Sequence, residues 1–179
     1  MTRVNTASDT VTEPGRSYAY FLGASIPTGI QTISMSYNTG TVESGHAVCC
    51  TQTAGADTAV AVSGVAQENQ ANPQIVLDSG ADSALRYCHI YSGLVGPASL
   101  TILSGMTAIH NHDFGPACDL TDRQTSPSTG SFTIGYTAAS DDVAMVAFAI
   151  KEVTAVAGSA VRPIDMPLTI WFKQEVIGY

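Results

Sequence analysis

Charge is scarce in this chain. Asp, Glu, Lys and Arg together make up 12% of its 179 residues, where a typical globular domain carries about a quarter. Positive charge is scarcest: seven Lys and Arg, scattered along the chain, stand against fifteen Asp and Glu, for a formal net charge of -8. Such a surface repels a polyanion, which argues against direct nucleic-acid binding and against docking on anionic membranes. Long apolar runs are missing too, none approaching the ~20 residues that a spanning helix needs. The opening MTRVNTASDTVTEPGRS is polar and lacks the apolar core of a secretory signal, so synthesis in a cytoplasm is expected.

Cysteine and aromatics are also sparse. The four cysteines, Cys49, Cys50, Cys88 and Cys118, include no CxxC pair. On a strand the adjacent Cys49 and Cys50 point to opposite faces and cannot share one metal. Buried free thiols are expected, and a chain of this length needs no staple, since one domain hides about 70% of its unfolded surface. Aromatics at 7% weaken a stacking groove for sugars or bases. Tyr87, Tyr91, Tyr136 and Tyr179 are the candidates for one, with core or interface duty the expected role.

Sequence signatures of nucleophilic catalysis are missing: there is no GxSxG elbow and no recognisable Cys/His pairing. Cys88 and His89, as neighbours on a strand, would project to opposite faces. Asp78, Asp82, Asp141 and Asp142 lie in Gly/Ser/Ala-rich turns, where solvated caps are expected rather than a glycosidase pair. The LDSGADS cluster offers oxygen ligands for calcium but lacks EF-hand spacing. No catalytic residue, cofactor site or enzyme activity is assigned.

What the chain does have is apolar residues, at 45%, set in short β-branched or aromatic segments between Gly, Pro, Asn, Asp and Ser clusters. That rhythm is the pattern of an all-β sandwich or barrel, and an antiparallel sandwich is expected. Strands are expected over residues 17–23, 31–37, 46–52, 58–65, 73–79, 84–91, 99–105, 131–137, 143–153 and 167–176. Alternation is clearest in QTISMSY, with Ile33, Met35 and Tyr37 on one face, and recurs in SFTIGYT with Phe132, Ile134 and Tyr136. The segment SDDVAMVAFAIKEV reads either as a helix capped by Ser140 or as a strand buried on both faces. The strand is favoured, with SFTIGYT as the first arm of an antiparallel pair and AASDD as its connection. Residues 1–16 are expected to form an extended N-terminal arm, residues 17–153 the sandwich domain, and residues 154–179 a C-terminal arm with one further strand holding Trp171.

One motif raises chemistry. In GMTAIHNHDFG, residues 105–115, His110 and His112 would share a strand face about 7 Å apart, the way metal sites in jelly-roll enzymes begin. The pattern resembles the first metal motif of cupins. The Glu expected downstream is missing, however, with only Asp113, Asp119 and Asp122 on offer, and a third imidazole would have to come from His46 or His89. The other reading is a strand ending in a turn that Asn111 and Asp113 hydrogen-bond. No metal is assigned, and His110, His112 and Asp113 are the candidate ligands.

Two stretches, GSFTIGYTAASDDVAMVAFAIKEV and SGLVGPASLTILSG, resemble the C-terminal half of small jelly-roll structural proteins of tailed bacteriophages, the capsid decoration (cement) and tail-associated proteins. The likeness covers residues 32–153. It implies a jelly-roll sandwich, a place in the virion after synthesis in a bacterial host, homo-oligomerisation, and the major capsid protein or another virion protein as partner. It implies no active-site residue. A tail or fibre module binding receptor or carbohydrate, and a cupin-like metalloenzyme on His110 and His112, are the alternatives.

Overall fold

The computed structural model describes residues 2–8, 15–22, 41–42, 47–52, 56–67, 72–93, 99–113, 115, 117–138, 142–152 and 168–178. In chain order the strands are β1 (Thr2–Ser8), β2 (Gly15–Phe21), β3 (Thr41–Val42), β4 (Ala47–Gln52), β5 (Ala56–Gln67) and β6 (Gln74–Asp78). They continue with β7 (Ala84–Ser92), β8 (Thr101–Ile102), β9 (Met106–Asp113), β10 (Cys118–Gln124), β11 (Ser131–Thr137), β12 (Val143–Glu152) and β13 (Leu168–Gly178). The pairings are antiparallel and no α-helix occurs among the described residues. The fold is all-β, as the short-strand rhythm predicts.

The strands form three sheets. The first runs β1-β2-β13-β3 with β4 also on β13, the second β5-β12-β7-β10-β9, and the third β6-β11-β8. The second sheet lies in the middle. On one of its faces Leu85, Tyr87 and Tyr91 of β7 and Ala144, Val146, Phe148 and Ile150 of β12 pack with Ala7, Ala19 and Phe21 of the first sheet. On the other, Ala84, Cys88, Ile90, Val143, Met145, Ala147 and Ala149 pack with Ile75, Leu77, Ile134 and Tyr136 of the third. This double burial explains VAMVAFAI: a strand covered on both faces needs apolar side chains at successive positions, so its sequence does not alternate.

The same physics corrects one expectation. β11 and β12 do not pair with each other: β11 pairs with β6 and β8, and β12 lies between β5 and β7. At the start of β11, Ser131 and Thr133 are exposed while Ile134 is buried, which suits an outer sheet covered on one side. β12 needs cover on both sides, so the chain crosses from one layer to the next between them.

The N-terminal segment is paired within the outer sheet. Residues 2–8 form β1, paired with β2 from Thr2↔Phe21 to Ser8↔Arg16, and Ala7 is buried with Val4 packed beside it. Gly15 begins β2 because a Cβ there would run into the Tyr91 ring. The further strand expected near the C-terminus is β13, set between β2 and β4. Strands β1, β3 and β10 were not anticipated, and β9 was anticipated only as the end of a strand. QTISMSY, His46, Asp141 and Tyr179 lie outside the described residues.

Candidate functional site

The histidine pair lies on β9, an edge strand of the middle sheet paired only with β10 among the described residues. His110 stands opposite Thr121 and His112 opposite Asp119. The two rings are parallel within 5° with centroids 6.2 Å apart, the spacing of i and i+2 on one strand face. Asp113 stands opposite Cys118, which alternation puts on the other face. Its Oδ1 accepts a 2.8 Å bond from the Gly115 amide. The motif is therefore a strand closed by an Asp-capped turn, and the chain does not bring Asp113 to the two imidazoles.

Asp119 takes the position expected of Asp113. Its carboxylate is completely buried, with Oδ1 4.0 Å from His110 Nε2, and burial pushes its pKa up to about 7. His89, on β7, bonds Thr121 Oγ1 through Nδ1 at 2.8 Å. Thr121 is the register partner of both His89 and His110, so the two imidazoles lie two strand spacings apart, roughly 9–10 Å. Among the described residues no three His, Cys, Asp or Glu side chains converge as a metal-holding group.

A second polar cluster joins the middle and third sheets. Tyr136 of β11 donates its hydroxyl to Asp122 Oδ2, and Cys88 Sγ lies 3.8 Å from the same hydroxyl as donor to it. All three are buried. Asp122 Oδ1 is buried without a hydrogen-bond partner among the described residues. Burial raises the Asp122 carboxyl to about 6, opposed by the tyrosine bond. The Cys88 thiol is pushed well up by burial and by the Asp122 charge, which keeps it protonated and unreactive. Cys118 is likewise a buried free thiol.

The third cluster centres on Arg86, which is fully buried on β7. Its Nε donates to Leu77 O at 3.2 Å, and Nη1 to Ala84 O at 3.1 Å, Gln124 Oε1 at 2.9 Å and both Ser128 oxygens at 3.1 Å. Nη2 reaches Ser79 Oγ at 3.0 Å and the Gly130 carbonyl, and the guanidinium lies 5.6 Å from the Phe132 ring centre. Carbonyl and hydroxyl oxygens thus replace water around the cation. Desolvation lowers its pKa, opposed by the charge of Asp78. The arrangement locks the 125–130 turn to the 79–80 turn.

No protein-family model, curated protein or solved structure matches this chain.

Sequence reasoning passed over Arg86, although a signal was present: in ALRYCHIY the face shared by Ala84, Cys88 and Ile90 carries one arginine, and a cation there must be enclosed by acceptors. Of the turn carboxylates, Asp78 is exposed with its Oδ1 bonded to the Gly80 amide at 2.8 Å, and Asp82 is ion-paired with Lys151. Asp142, expected to be a solvated cap, is buried instead. Tyr87, Tyr91 and Tyr136 are core residues at 3%, 0% and 0% exposure, so none of them offers a stacking surface.

Proposed function

We propose that the chain is a bacteriophage virion structural protein that decorates the capsid, bridging capsomers as a homo-oligomer with the major capsid protein as its partner. One observation carries the reading: the first and last described strands, β1 and β13, flank β2 in the same outer sheet. The two ends of the described chain therefore belong to one layer, whose outward face and edge can meet neighbours on a common surface. The interior supports this use. A middle sheet filled on both faces and the enclosed Arg86 favour a stiff body over a mobile one. Weak contacts repeated over many symmetry-related copies then sum to firm attachment.

The test is reconstitution. Undecorated phage capsids are mixed with the full chain, pelleted, and the bound copies counted by quantitative mass spectrometry against the major capsid protein. The expected result is saturation at a fixed ratio, with capsids that withstand more heating. Failure to co-sediment overturns the reading. Deleting residues 158–179 is an unsuitable variant, because it removes β13 from between β2 and β4 and with it the outer sheet.

A further inference from the structure

Among the described residues, the outward side of the first sheet combines stacked tyrosines with exposed arginines. Along β2, Gly15, Ser17, Ala19 and Phe21 are buried, while the intervening Arg16 is exposed and Tyr18 and Tyr20 are half-buried. The two tyrosine rings stack along the strand with centroids 6.2 Å apart and planes 25° from parallel. Across the sheet Arg3, which is exposed, stands opposite Tyr20, and the exposed Thr6 stands opposite Tyr18. On the other flank the register sets Trp171 opposite Tyr20, Lys173 opposite Tyr18 and Glu175 opposite Arg16.

Cations are gathered here against the trend of the chain. Arg3 and Arg16, both exposed here, are two of its seven Lys and Arg, while Arg86 is enclosed and Lys151 is paired with Asp82. An aromatic pair between guanidinium groups fits a ring with an apolar face and a carboxylate on its edge. The flat faces of Tyr18 and Tyr20 accept the ring, and arginine accepts the carboxylate as a fork. Arg3 and Arg16 lie about four residues apart along the strands, roughly 13 Å, so the ligand is an oligomer rather than a single ring. Its charge must be sparse, since a phosphate at each unit would meet the net charge of -8.

We propose that the outward face of β1 and β2 binds an acidic oligosaccharide, its pyranose rings on Tyr18 and Tyr20 and its carboxylates on Arg3 and Arg16. This inference stands apart from the capsid reading and holds wherever the protein is placed.

The experiment presents the full chain with hyaluronan and unsulfated chondroitin fragments, which carry one carboxylate per disaccharide, alongside neutral chitohexaose and an oligo(dT), and then measures affinity by calorimetry. Saturable binding to at least one carboxylated glycan is expected, weaker in salt and absent for its neutral counterpart. R3A and R16A each weaken it about tenfold, the worth of one charge-assisted hydrogen bond. Both side chains are exposed, so these variants should fold, which circular dichroism checks. Tyr20→Phe keeps the affinity and Tyr20→Ala loses it. The proposal is overturned by no binding to any carboxylated glycan, by equal binding in R3A and R16A, by preference for oligo(dT), or by self-association that the same substitutions abolish.

Discussion

At the scale of single residues, stability depends on polar groups held where water cannot reach. Arg86 is satisfied by oxygens that fit a planar, five-donor fork, and lysine offers only a compact ammonium. Arg86→Lys should therefore lower stability by about 3 kcal/mol, because several buried acceptors lose their donor at once. Urea unfolding checks it, with a lower midpoint and an unchanged slope. Asp119 and Asp122 act in the opposite sense. Each carboxyl rises on folding, to about 7 and about 6, so the folded chain binds more protons than the unfolded one between those values and the ordinary carboxylate range near 4. Their contribution is fully present below about pH 4 and is lost as pH climbs through 6 and 7. Thermal melts from acid to neutral pH should show this decline, and Asp119→Asn should flatten it.

At the scale of elements, what a strand faces decides its sequence. β12 is apolar at successive positions because the first sheet covers one side and the third the other. Phe148 is fully buried and stacks on Tyr87 with centroids 5.7 Å apart. Phe148→Ala should cost about 3–5 kcal/mol, the usual range for emptying a well-packed aromatic site, measurable as a lower denaturation midpoint. β10 shows the converse. Its Cys118, Leu120, Asp122 and Gln124 are all buried, yet two of these are polar, because Tyr136 and Arg86 supply their partners. A period-2 reading in hydrophobicity cannot find such a strand, since polar and apolar residues share that face and Asp119 and Thr121 on the opposite one are buried too. β9 was half legible, its histidines and Asp113 signalling a strand and a turn, while the partner carboxylate, Asp119, is set by register across β10.

At the scale of the whole molecule, burial is greatest in the middle. β7 is buried at each position and β12 at all but its last two, whereas β1 and β9 lie at sheet edges. Hydrogen exchange should accordingly be slowest at the amides of β7 and β12, and should approach the global unfolding limit there, while β1 and β9 exchange through smaller openings. Mass spectrometry of deuterated peptides reads this directly. Equal protection in β1 and β7 would contradict the layering.

Composition and short-range pattern were enough to determine that the chain is all-β, where β2, β4 to β7 and β11 to β13 run, that Val143–Glu152 is a strand, and that Asp113 closes a turn. Those features depend on each residue's own φ/ψ preference and on its immediate neighbours. Only the tertiary structure decided that β11 and β12 separate into different layers, that residues 2–8 form an edge strand, that Arg86, Asp119 and Asp122 are enclosed, and that Arg3 meets Tyr20. These depend on which distant strands become neighbours. One chain's local pattern does not encode that choice, because covering an apolar face constrains the chemistry of its cover and leaves open which strand supplies it.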